Sequence, residues 1–155
     1  LISVEGNFTL ADAFWCKRIA ATDEQTWADE FRVMRADPQG WLQRGGIAPT
    51  DERLGWAQAI LDNQPHDTIQ SMARSVVATT GAPAYLELVR RVIERGTPLY
   101  LLAGEKSAVG WDVPDWVHAT AMQYVTQPNA GHMLMLEDPA LFCKTISSMI
   151  RSEGI

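Results

Sequence analysis

Hydrophobic and polar positions follow two different rhythms along this chain. Through residues 9–80 the apolar residues return at helical spacing, Phe14, Trp27, Phe31 and Met34 among them. Breakers at Asp37-Pro38, Gly45-Gly46 and Gln64-Pro65 divide this region into several short helices. Thr50 precedes Asp51 and Glu52, acids suited to the positive end of a helix. Asp67 with Gln70 reads as a capping box ahead of an apolar face made by Ile69, Met72, Ala73, Val76 and Val77. Gly81 stands where a C-terminal cap belongs.

The rest of the chain alternates between helix and strand. Residues 1–4 are short and apolar, a strand ended by Glu5-Gly6-Asn7. Residues 84–95 are amphipathic, with Leu86, Val89, Val92 and Ile93 inward and Gly96 as the stop. Residues 98–103 are almost continuously apolar, which suits a strand covered on both faces. A short helix over 115–121 follows Pro114, and residues 123–126 form the next strand. Asp138 caps a closing helix over 139–152, with Pro139 at its first position. Such alternation predicts an α/β fold with parallel strands.

Composition narrows the function classes. The chain has 155 residues, 46% hydrophobic and 21% charged, enough for a real core. A net charge of −6 disfavours non-specific nucleic-acid binding. No apolar run is long enough to span a membrane. Two cysteines, Cys16 and Cys143, are too few for a disulfide framework, and reduced thiols in a cytoplasmic protein are the simpler expectation. No His/Cys/Asp/Glu cluster has metal-ligand spacing, so neither a metal nor another cofactor is expected. Gly104-Glu105-Lys106-Ser107 lacks the spacing of a phosphate loop.

The most chemical segment runs from Pro128 through Asn129-Ala130-Gly131-His132 to Asp138-Pro139. It places an imidazole on a loop just past a strand, where reactive groups gather in parallel α/β sheets. His66, after Gln64-Pro65, and His118, in a short helix, read as structural or exposed.

Three islands resemble the α/β-hydrolase family in order and spacing. Residues 1–7 look like its sixth strand, residues 98–107 its seventh strand and loop, and residues 125–142 its eighth strand, histidine loop and last helix. The resemblance implies a partial α/β-hydrolase sheet of about three parallel strands, three-layered where complete. It places the core at residues 1–8 and 81–155 and a helical cap at 9–80. The triad order Ser…Asp/Glu…His then makes His132 the general base.

The departures shape the rest of the expectation. No serine here, Ser3, Ser71, Ser75, Ser107, Ser147, Ser148 or Ser152, has the G-x-S-x-G flanking of a nucleophile elbow. The chain starts without Met inside what reads as a buried strand, so a nucleophile-bearing half is expected upstream. Ser107 occupies the position where many members carry the triad Asp, and it reads as an ordinary loop residue. Other members take the acid from the end of the sixth strand. Glu5 is there, so the orienting carboxylate is assigned to Glu5, with Asp12 and Asp112 as alternatives.

The resemblance therefore implies the C-terminal portion of a serine-type hydrolase acting on a small apolar ester-like substrate. The alternative is a non-catalytic fragment of the same architecture that binds a small ligand or associates with itself. Its partners would be the substrate or ligand, and either the missing half or a second copy joined through the open edge of the first strand. Four of the six tryptophans, Trp15, Trp27, Trp41 and Trp56, fall in the cap region, which tilts them toward pocket or cap-core roles.

Overall fold

A computed structural model describes residues 1–152. In chain order the elements are β1 (Ile2–Val4), α1 (Phe14–Ala21), α2 (Glu24–Ala36), α3 (Pro38–Arg44), α4 (Asp51–Asp62), α5 (His66–Thr80), α6 (Tyr85–Glu94), β2 (Tyr100–Gly104), a 3-10 turn (Ala108–Gly110), α7 (Asp115–Thr120), β3 (Gln123–Gln127), α8 (Leu134–Glu137) and α9 (Pro139–Arg151). The fold is α/β with a three-stranded parallel sheet. The chain forms two compact units, Leu1–Asp12 with Pro83–Ile155, and Ala13–Ala82.

In the α/β unit the strand order is β1-β2-β3, with Ile2 level with Tyr100 and Tyr100 level with Gln123. Every residue of β2 is buried, as its unbroken apolar run predicts. Its side chains alternate between two cores. Leu99, Leu101 and Ala103 join Phe8, Trp111 and Val117, and Leu86, Val89 and Ile93 of α6 pack on that cluster. Tyr100 and Leu102 join Ala130, Leu134 and Met149, with Phe142 and Ile146 of α9 behind them. Val92, expected inward, is exposed because the partly buried stripe of α6 runs through 86, 89 and 93. The Asp138 side chain accepts from Leu141 N–H at 2.9 Å and caps α9. The sequence pattern missed α8, a single turn too short to show a period.

The helical unit has five helices around Trp27, which is fully buried, with Ile19, Phe31, Leu61, Ile69 and Ala73. The Trp27 indole N–H donates to His66 O at 2.7 Å, giving the buried ring its polar partner. Thr50 caps α4, its side chain accepting from Arg53 N–H at 3.2 Å. The capping box at Asp67 does not form. α5 starts two residues earlier than an Asp67 cap would place it, after Pro65, and Gln70 is buried instead. Its amide donates to Ile19 O at 3.3 Å and Thr22 O at 2.8 Å, closing the end of α1. Phe14 and Met72 are 74% and 62% exposed, so neither belongs to the core the spacing assigned them. Gly81 sits at the end of α5 but keeps a right-handed backbone.

Among the described residues, no helix is long and apolar enough to cross a membrane.

Candidate functional site

Parallel strands end with their carboxyl termini on one side, so the loops leaving β1, β2 and β3 converge there. The loop after β1 brings Glu5. Its φ is 43°, in the left-handed region that a residue with a β-carbon enters at some energetic expense. Its N–H donates to Leu102 O at 3.1 Å, and Trp111 donates its indole N–H to Gly6 O at 2.8 Å. These bonds fix the bend from both sides and turn the Glu5 side chain inward, with 5% of it exposed.

The loop after β3 brings His132, and several contacts shape it. Asn129 takes a φ of 58° and donates its N–H to a Glu105 carboxylate oxygen at 2.7 Å. Gly131 N–H donates to Glu137, and Lys106 N–H donates to Ala130 O at 2.9 Å. Buried Gln127 donates its amide to Leu134 O at 3.0 Å and Asp138 O at 3.3 Å, tying strand, loop and closing helix together. Gly104 makes the approach possible. A β-carbon there would stand 2.2 Å from Gly131 O and 2.6 Å from Ala130 O.

The two loops meet at one hydrogen bond: His132 Nδ1 lies 2.6 Å from Glu5 Oε2. The other carboxylate oxygen, Oε1, accepts from Gly104 N–H at 2.7 Å and from the Ser107 hydroxyl at 2.5 Å. Burial pushes the Glu5 carboxyl up, but the bonds from His132, Ser107 and the Gly104 backbone outweigh it and hold the group below its ordinary range. The bond to Glu5 holds the His132 imidazole above its ordinary range. Burial opposes this, while the charges of Glu5 and Asp12 add to it. With Nδ1 bound to a carboxylate, the neutral ring carries its proton on Nδ1 and leaves Nε2 unprotonated. The His132 side chain is 71% exposed, and among the described residues its one hydrogen bond is to Glu5.

The alternative acids lie elsewhere in this loop cluster. Asp12 accepts from the Asn7 side chain at 2.9 Å and from Asp112 N–H at 3.2 Å. Asp112 accepts from the Thr9 hydroxyl. Both stitch the β1 loop to the β2 loop, and neither is hydrogen-bonded to His132. Ser107, read from sequence as an ordinary loop residue, instead holds Glu5. Gln127, Glu137 and Trp111 were missed as site-shaping residues. A polar residue closing an otherwise half-apolar strand, and an acid just ahead of Asp138-Pro139, were their only traces in the sequence.

His118 and His66 are not part of the pair. His118 meets the Tyr124 ring edge-on at 5.0 Å, and His66 faces Phe31 at 6.5 Å. Of the four tryptophans of the helical unit, Trp27 is at the centre of its core and Trp41 packs against it, while Trp15 is exposed. A hollow of ≈ 390 Å³ on that unit is lined by residues including Phe31, Arg35, Asp62 and His66, with no tryptophan. Among the described residues, no group of three or more His, Cys, Asp or Glu could hold a metal ion, and both cysteines are free.

No protein-family model matches this chain, and no curated protein matches it.

Proposed function

We propose that Glu5 and His132 are the acid and base of a serine-type α/β-hydrolase triad, in a chain that forms the C-terminal portion of that fold. The observation that carries this reading is the 2.6 Å contact between His132 Nδ1 and a buried carboxylate, at the carboxyl ends of parallel strands. The order β1-β2-β3 supports it, since it corresponds to the last three strands of the family's sheet.

In this reading a serine hydroxyl from outside the chain gives its proton to His132 Nε2 as its oxygen bonds to the carbonyl carbon of a small apolar ester. When the carbon–oxygen bond to the leaving alcohol breaks, the imidazolium returns that proton to the departing oxygen. Water then releases the acyl group by the same cycle. Glu5 keeps the Nδ1 tautomer and stabilises the imidazolium between transfers. The two free thiols suit a cytoplasmic setting.

The test is a chromogenic short-chain ester assayed with the chain joined to a nucleophile-bearing segment. Turnover that falls by about 10³-fold or more in His132→Ala supports the triad. Turnover unchanged by that substitution overturns it.

A second reading has its own observation. Among the described residues no serine hydroxyl is hydrogen-bonded to His132, so the chain alone would be a ligand-binding or self-associating fragment. Among the described residues β1 pairs on one side only, and its other edge suits a completing half or a second copy. Ligand binding without labelling by a fluorophosphonate, or a dimer by light scattering, favours this reading.

A further inference from the structure

We propose that Ser107 is a positioning residue that fixes the rotation of the Glu5 carboxylate, so that with one oxygen held by Ser107 and Gly104 the other is aimed at His132. The inference rests on the acid–base reading of Glu5 and His132, and it adds a third side chain to that arrangement.

A carboxylate on a glutamate side chain can rotate about its last carbon–carbon bond and swing both oxygens out of line with a partner. Here Oε1 is engaged twice, by Gly104 N–H at 2.7 Å and by Ser107 Oγ at 2.5 Å. A half-turn would only exchange two equivalent oxygens, whereas a smaller rotation would stretch both bonds to this ionised acceptor, the stronger kind. Ser107 has one hydroxyl proton and two acceptors near it, Glu5 Oε1 at 2.5 Å and Gly104 O at 3.3 Å. The shorter distance and the negative charge assign the proton to Glu5.

The serine is itself held. Its N–H donates to Gly104 O at 3.2 Å, and its carbonyl accepts from Gly110 N–H at 2.9 Å, so a tight turn fixes its backbone. Of the three donors on Glu5, one is the base and one is backbone. Ser107 alone can be removed without disturbing either.

Other charges are accounted for. His132, on the β3 loop, faces Glu5, and the charge of Glu5 reaches Tyr124 on β3, whose hydroxyl is raised chiefly by burial and then by Glu5. His132 also feels Asp12 from the β1 loop. None of these groups donates to Oε1, so the loss of the Ser107 hydroxyl has a readable sign. Glu5 loses a donor that favours its charged form, and its titration midpoint must rise.

The experiment is an NMR pH titration of the full chain, following the Glu5 side-chain carboxyl carbon and the His132 ring, with Glu5→Gln to assign the signal. Ser107→Ala should raise the Glu5 midpoint by about one pH unit, a tenfold weaker acid. Ser107→Thr, which keeps the hydroxyl, should return it toward wild type. An unmoved midpoint in Ser107→Ala overturns the proposal. So does a shift that Ser107→Thr fails to reverse, which would make the effect one of packing. If Ser107→Ala does not fold, Ser107→Cys keeps the shape with a weaker donor and should raise the midpoint by a smaller amount; no rise there also overturns it. The titration needs no turnover. An inactive joined enzyme therefore leaves Ser107's role standing, and an unmoved Glu5 leaves the hydrolase reading standing.

Discussion

Glu5 and His132 lie 127 positions apart in the chain, yet their side chains share one 2.6 Å hydrogen bond. That bond is a link between folding and proton binding. Glu5 is held below its ordinary 4.5, so its contribution to stability is complete above 4.5 and is lost as pH falls through the lowered value. His132 is held above 6.5, so its contribution is complete below 6.5 and is lost as pH rises through the raised value. The two overlap between these ordinary values. Urea midpoints measured from pH 4 to 9 should show the largest gap between wild type and Glu5→Gln in that window. A gap that keeps widening toward pH 9 would contradict the pairing.

Gly104 and Gly55 should respond to alanine in opposite directions. At Gly104 the new β-carbon meets the backbone of Gly131 and Ala130, which cannot swing away like a side chain. Gly104→Ala should destabilise by roughly 1–3 kcal/mol and displace the His132 loop. At Gly55, inside α4, a β-carbon meets nothing within 4 Å, so Gly55→Ala should stabilise by about 0.5–1 kcal/mol. Denaturant unfolding reads both. A neutral Gly104→Ala would show that the loops do not approach so closely.

Trp111→Phe separates packing from hydrogen bonding beside Glu5. The ring continues to fill the cluster with Phe8 and Leu101, but Gly6 O loses its donor. A loss of about 1–3 kcal/mol is expected in chemical denaturation, together with a weaker His132–Glu5 signal by NMR. Loss of stability with the His132 ring unchanged would mean that Trp111 supports the core alone.

Gln70→Leu makes a comparable test in the helical unit. Leucine suits the buried position, but the carbonyls of Ile19 and Thr22 lose their amide donor. The expected loss is about 1–3 kcal/mol, visible as a lower thermal midpoint. An unchanged midpoint would mean that water satisfies those carbonyls equally well.

Regular elements were legible where composition and period agreed. The apolar run through Leu101 and Leu102 announced a strand covered on both faces, and Asp138-Pro139 announced the start of α9. Local patterning was less reliable where tertiary contacts compete. Gln70 fits a capping box by spacing, yet a buried amide that donates to the carbonyls of Ile19 and Thr22 is worth more than an exposed cap. Phe14 and Met72 fit a helical stripe, but a stripe in sequence does not say how much of it a neighbour covers. At the site, His132 was nameable because its loop leads from a strand to a helix, and Glu5 through the resemblance, in which some members carry the acid at the end of the sixth strand. The resemblance put Ser107 where many members carry the triad Asp, but its hydrogen bond to Glu5 left no mark in the sequence, and it read as an ordinary loop residue.

The left-handed bend at Glu5 leaves this position few acceptable replacements. Glycine would relax the main chain and bring no charge. Aspartate would keep the charge on an arm one methylene shorter. Most other residues would inherit the unfavourable torsion without the carboxylate bonds that offset it. Residue 5 is thus tuned by backbone and side chain together, so exchanging either property alone detunes the other.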